Sequence, residues 1–116
     1  MTVYADNAAT TQMSDSVLKA MMPLLTDIYG NPSSLHSVGQ IAKEHLEAAR
    51  ETVAECIGAD PKEIYFTSGG SEADNQAIRS AAYIGARKGK KHIISSKFEH
   101  HAVLHTLDAL KQEGFT

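Results

Sequence analysis

The sequence predicts a helix-rich α/β fold with two short strands, because two strand-then-helix units follow one another along the chain. The first unit joins a β-rich segment at residues 63–67 to a helical pattern over about 71–87. The second joins residues 92–96 to a helical pattern over about 100–113. Tandem units of this kind are typical of parallel sheets, so a further strand is expected after Gly114.

Two helices are predicted ahead of these units. The first has apolar residues at helical spacing, begins where Ser14 or Asp15 can cap it, and is expected to end or kink at Pro23. The second is predicted over Ser37–Ile57 from a continuous apolar stripe. Gly58 follows directly, in the position where glycine commonly ends a helix.

Composition favours one modest globular domain, or a piece of a larger one. The chain has 116 residues, of which 42% are hydrophobic, and a formal charge of −3. Because Lys and Arg form no extended cluster, nucleic acid is not expected as a partner. Cys56 is the single cysteine, and the first residues have neither the basic start nor the apolar run of a signal peptide. We therefore expect a cytoplasmic protein with no membrane partner.

The segment at residues 67–72, Thr-Ser-Gly-Gly-Ser-Glu, lies where the first strand meets its helix. Free N–H groups at a helix start favour an anion, and glycines allow a phosphate to approach the backbone closely. The segment is neither a Walker A loop nor a dinucleotide fingerprint. An equally open interpretation is a glycine turn in which Ser71 and Asp74 form a capping box.

The segment at residues 98–101 follows the second strand directly. Ligands of open α/β sheets gather at the carboxyl ends of strands, so His100 should lie at the same edge as Ser71. A histidine there can stack on a flat cofactor or transfer a proton, although a solvated side chain near a helix start is the simpler alternative. His101 and His105 are spaced i, i+4 and make half a zinc site, so no metal is expected.

Three remaining features are uninformative alone. The loops at residues 6–11 and 30–36 are dense in turn-forming residues. Cys56 lies beside the apolar stripe of its helix, where a thiol is usually inert packing.

Taken together, four segments resemble the start of the group I cysteine desulfurases. They are Tyr-Ala-Asp-Asn-Ala-Ala-Thr-Thr at 4–11, Gly-Asn-Pro-Ser-Ser-Leu-His at 30–36, Phe-Thr-Ser-Gly-Gly-Ser-Glu-Ala-Asp-Asn at 66–75 and Glu-His at 99–100. The resemblance covers essentially the whole chain, and four motifs in order are far more specific than any one of them.

The resemblance implies the fold type I architecture of class V aminotransferases, which are transferases that use pyridoxal 5′-phosphate (PLP). Residues 1–13 would form an N-terminal segment, and residues 14–116 would begin the large cofactor-binding domain. These residues alone could not complete the native sheet, because the intervening strands come from later sequence. Such enzymes are homodimers that convert L-cysteine to L-alanine and a persulfide, which passes to a sulfur acceptor or scaffold protein, as in iron–sulfur cluster assembly.

The resemblance also implies roles for individual residues. Gly70 and Ser71 would hold the phosphate of PLP, with Ser71 in place of a more usual threonine. His100 would stack on the pyridine ring and assist proton transfer. Asn7 and Asn31 would lie near the substrate.

In the family, the lysine that binds the cofactor covalently and the cysteine that carries the persulfide lie beyond position 116. This chain alone is therefore expected to be inactive, to bind PLP weakly if at all, and to self-associate or swap strands. Two alternatives remain open: another class V enzyme such as a selenocysteine lyase, and a non-catalytic assembly module.

Overall fold

The computed structural model describes residues 2–116, which form four α-helices in two compact units. The helices are α1 (Asp15–Thr26), α2 (Ser37–Ile57), α3 (Gly70–Ala86) and α4 (His101–Gln112), with a short 3₁₀ turn at Pro61–Glu63. The units are Met1–Ile64 and Tyr65–Thr116. Within residues 2–116, no helix is both long enough and apolar enough to cross a bilayer.

Helix α1 begins as predicted but extends further than expected. The Ser14 hydroxyl accepts a hydrogen bond from the Val17 N–H at 3.3 Å and caps the first turn. The helix runs through Pro23 to Thr26, so it does not end at the proline, and the alternative, a kink there, stays a prediction. The Pro23 carbonyl accepts the Asp27 N–H at 2.9 Å, which closes one further turn. No residue of α1 is buried, so its apolar side chains are open to solvent.

Helix α2 has the predicted bounds and packs directly on the loop before it. It ends at Gly58, whose φ of 68° is left-handed and favours glycine. A Cβ on Gly39 would lie 2.6 Å from the Cβ of Ser34 and 2.7 Å from the carbonyl oxygen of Asn31. The absence of a side chain at Gly39 therefore allows the loop backbone to lie on the first turn of the helix.

A capping box that the sequence analysis did not single out follows α2. The Asp60 carboxylate accepts the Lys62 N–H, and the Glu63 carboxylate accepts the Asp60 N–H, each at 2.9 Å. The Arg50 guanidinium donates to the carbonyl oxygen of Ile64 and ties the end of this turn to α2.

Helices α3 and α4 pack together around a small core in the second unit. Leu110 is fully buried and contacts Ala82 and Phe115, which are also buried. The ring of Tyr83 meets that of Phe115 edge-on, with centroids 6.2 Å apart. This core fixes the two helices of the second unit against each other.

The two predicted strands do not form a sheet in the part of the chain that the structure describes. Residues 64–67 and 91–96 lie outside helices and turns but join no ladder. A strand forms only where partners supply hydrogen bonds, and these residues were not expected to complete their sheet alone. The helix-rich character of the prediction is confirmed.

One pair of backbone hydrogen bonds does have the form of parallel strand pairing. The Thr116 N–H donates to the Lys91 carbonyl at 2.9 Å, and the Ile93 N–H donates to the Thr116 carbonyl at 2.7 Å. Thr116 thus bonds to the residues on both sides of His92, as in a parallel ladder. The strand expected after Gly114 is not formed in the described residues, and this single pairing of Thr116 is the contact that resembles one.

Candidate functional site

The start of α3 is an open, uncapped helix N-terminus. The helix begins at Gly70, its cap residue is Gly69, and among residues 2–116 no side chain caps it. A Cβ at either glycine would meet no atom within 4 Å. The capping box predicted for Ser71 and Asp74 is wrong, because Ser71 lies inside the first turn. The free N–H groups of this turn can receive an anion.

Glu72 holds the turn that leads into α3. The backbone N–H and the hydroxyl of Ser68 both donate to Glu72 Oε2 at 2.6 Å. The Thr67 hydroxyl donates to the Gly69 carbonyl at 3.1 Å. The pKa of Glu72 is lowered, first by the hydrogen bond from the Ser68 hydroxyl and then by that from its N–H. An ionised Glu72 therefore fixes the turn.

His100 begins α4. Its Nδ1 accepts the Ala102 N–H at 3.1 Å, so the imidazole itself caps the helix. In this role Nδ1 is an acceptor, which leaves Nε2 as the nitrogen that can meet a ligand or carry a proton. The cap also restricts the orientation of the ring.

Ser71 and His100 line the same cavity, although they come from separate motifs. The cavity has a volume of about 320 Å³. Helices α3 and α4 supply its wall, and the other lining residues are Asn75, Arg79, His101, Ala102, His105 and Thr106. A hydroxyl, an open helix start and an imidazole at one cavity can bind an anion and move a proton nearby.

Arg79 is a cavity residue that the sequence reasoning missed. Its guanidinium donates to Glu113 at 3.2 Å and to the Tyr83 hydroxyl at 3.4 Å. The hydrogen bond to Tyr83 is the main factor that raises the pKa of Arg79, while desolvation opposes it. Ser71, Asn75 and Arg79 recur every fourth residue on one face of α3, and that spacing could have revealed them.

Asn7 and Asn31 are exposed residues of the unit Met1–Ile64. Asn31 Oδ1 accepts the Ser33 N–H at 2.9 Å, which makes a local turn of its loop. The Asn7 carbonyl accepts the Thr11 hydroxyl at 3.3 Å. Each asparagine thus sits in a turn stabilised by its own neighbours in sequence.

Cys56 is exposed, so its interpretation as a buried packing residue is wrong. The reason is that α2 is covered only along a narrow line of small residues, Gly39, Ala42 and Ala54. Within residues 2–116, no group of three or more His, Cys, Asp or Glu side chains is arranged to hold a metal ion.

Known proteins resemble the whole of this chain. The family described as "Aminotransferase class-V" matches residues 3–116. The chain is 50% identical over 113 residues to "Cysteine desulfurase IscS" of Methanosarcina thermophila, covering 97% of this chain and 28% of that protein. It is 48% identical over 113 residues to "Putative cysteine desulfurase IscS 1" of Bacillus subtilis (strain 168), covering 97% of this chain and 30% of that protein.

Solved structures share the fold as well. A "NIFS-LIKE PROTEIN" matches with a TM-score of 0.91 and 42% identity, over 100% of this chain and 32% of its own. DndA from Streptomyces lividans matches with a TM-score of 0.79 and 42% identity, over 97% of this chain and 32% of its own. The chain thus spans about a third or less of the length of these proteins. The extent of the family match, together with the fold, shows that this chain belongs to the class V aminotransferase family.

Proposed function

We propose that this chain serves as the N-terminal part of a PLP-dependent cysteine desulfurase. The whole enzyme would take sulfur from L-cysteine, release L-alanine and pass the sulfur on as a persulfide. The observation that carries the proposal is the meeting of Ser71 and His100 at one cavity beside an uncapped helix start. The names of the relatives point to the same reaction.

The start of α3 fits a phosphate group. Its first-turn N–H groups lack a side-chain cap, and the space in front of Gly69 and Gly70 is open. The Ser71 hydroxyl adds a donor at the cavity wall. The helix dipole and the free N–H groups both favour a dianion. Gly70 and Ser71 would therefore hold the PLP phosphate.

His100 fits a role beside the flat ring of the cofactor. When bound, PLP acts as an electron sink that weakens bonds at the α-carbon of an amino acid. The Ala102 N–H holds His100 Nδ1, so the ring is oriented before any ligand arrives. The imidazole would stack on the pyridine ring and use Nε2 to accept or donate a proton.

The remaining assignments extend the same proposal. Asn7 and Asn31 would contact the substrate, residues 1–13 would form an N-terminal segment, and residues 14–116 would begin the cofactor-binding domain. The whole enzyme would be a cytoplasmic homodimer that delivers sulfur to an acceptor or scaffold protein of iron–sulfur cluster assembly or another sulfur-transfer pathway.

Two substitutions in the full-length protein test the proposal. Ser71→Ala should weaken PLP binding roughly tenfold to a hundredfold, because a hydrogen bond to a charged group is worth about 1.5–3 kcal/mol. His100→Ala should lower kcat by about 10²–10⁴, the usual contribution of a general acid or base. PLP affinity is measured by absorbance titration, and alanine release from L-cysteine gives kcat.

Ser80→Ala is the matched control, because Ser80 is exposed on α3 and does not line the cavity. It should leave both PLP affinity and kcat unchanged. Unaltered PLP affinity in Ser71→Ala would contradict the phosphate assignment.

Release of alanine from L-selenocysteine but not from L-cysteine would reassign the enzyme as a selenocysteine lyase. A full-length protein that neither binds PLP nor releases alanine would instead favour a non-catalytic assembly module.

A further inference from the structure

Two histidines at the cavity have no part in the proposed function. His101 and His105 lie one turn apart on α4, and both are exposed. Their ring centroids are 5.6 Å apart, with an interplanar angle of 75°. The spacing i, i+4 puts them on the same face of the helix.

The separation of the two rings is close to that of a metal chelate. Two imidazoles that share one ion at about 2.0–2.1 Å would have ring centroids roughly 5 Å apart. The rings now meet edge-on at 75°, so both exposed side chains would rotate to direct one nitrogen each at a shared ion. Because both rings are in solvent, coordination requires no opening of the fold.

We propose that His101 and His105 form a two-histidine chelate for a divalent transition metal of the nickel, copper and zinc group. Neutral imidazole is a preferred ligand of these three ions. Water would fill the remaining coordination positions, since the described residues supply no third ligand there. His100 lies outside the chelate, because its Nδ1 accepts the Ala102 N–H and caps α4.

The charge around the pair permits a cation. Arg79 lines the same cavity, but its guanidinium is paired with the Glu113 carboxylate at 3.2 Å. The ion pair lowers the net positive charge that an arriving ion would meet. The chelate depends only on the pair on α4, and because both histidines line the cavity proposed for PLP, nickel is titrated into the PLP-free protein.

Nickel titration of the full-length protein tests the chelate. All variants carry Cys56→Ser, because the exposed thiol is a competing ligand. His101→Ala and His105→Ala should each weaken Ni²⁺ binding at least about tenfold, since a single imidazole loses the gain from two linked contacts. Calorimetry gives the affinity, and paramagnetic broadening of the imidazole signals identifies the ligands.

His45→Ala is the matched control, because His45 is an exposed helical histidine with Ile41 and Ala49 one turn away. It should leave the affinity unchanged. His105→Gln keeps a polar side chain and should weaken binding as much as His105→Ala does, while circular dichroism shows unchanged helicity. The proposal is overturned by equal affinities in all variants, by a loss in only one of the pair, or by an equal loss in His45→Ala.

Discussion

Glu72 sets the conformation of the turn ahead of α3 through a single carboxylate oxygen. A helix start without a side-chain cap would normally leave that turn loosely held. Here Ser68, which precedes α3, donates two hydrogen bonds to the Glu72 carboxylate inside the helix. These bonds hold the turn and leave the first-turn N–H groups of α3 without a side-chain cap. The turn is therefore ordered without using the N–H groups of the first turn of α3.

Acid should release this turn. A lowered pKa in the folded chain means that the stabilising effect is full above the ordinary value of 4.5 and is lost as pH falls through the lower folded value. A carboxyl NMR titration should place the midpoint of Glu72 below 4.5. Ser68→Ala should move that midpoint up, because the hydroxyl is the largest cause of the shift. An unmoved midpoint in Ser68→Ala would contradict this account, and Ser80→Ala serves as the control.

At the scale of elements, the pair α3–α4 depends on very few buried side chains. Leu110 is the fully buried apolar residue of the core, and Thr106 beside it satisfies its hydroxyl by donating to the Ala102 carbonyl at 2.7 Å. The walls of the candidate cavity come from these two helices. The geometry of the cavity therefore depends on their packing.

Leu110→Ala should destabilise the second unit by about 2–5 kcal/mol, the usual cost of removing a buried leucine side chain. Hydrogen exchange of the amides in α3 and α4 measures the loss, which should be confined to that unit. Leu35→Ala is the control, because Leu35 is 94% exposed and its removal should cost almost nothing. Similar exchange rates in the two variants would show that Leu110 does not hold the pair together.

Over the whole molecule, apolar side chains are left open to an unusual degree. Phe98 is 98% exposed and Ile94 is 87% exposed, and no residue of α1 is buried. Large apolar side chains left exposed can mark places where another surface packs. The expectation that this chain self-associates stays a prediction.

Sedimentation velocity of the 116-residue chain tests that prediction. The mean sedimentation coefficient should rise with concentration, because association covers apolar surface. The double substitution Leu18→Lys, Leu25→Lys on α1 should reduce the rise, whereas Ser16→Lys on the same helix should not. A concentration-independent, monomeric coefficient would rule the association out.

Local patterns predicted the helices well and predicted the pairing of the strands poorly. The stripe of α2 and Gly58 place both ends of that helix, because periodicity and a left-handed glycine act within a few residues. A ladder depends on distant partners, so residues 92–96 could be recognised as strand-like, whereas their pairing at Ile93 with Thr116 was recognised only from the structure. The shared location of Ser71 and His100 was predictable because each follows a predicted strand, whereas the presence of Arg79 in their cavity was recognised only from the structure.

The contact between Gly39 and its loop has a consequence for binding entropy. Because backbone lies on backbone there, residues 31–34 have little room to fluctuate independently of α2. The entropy of ordering that loop is lost when the chain folds rather than when a ligand arrives. A ligand that contacts Asn31 would therefore meet a surface that is already organised, and more of its contact energy would remain as affinity.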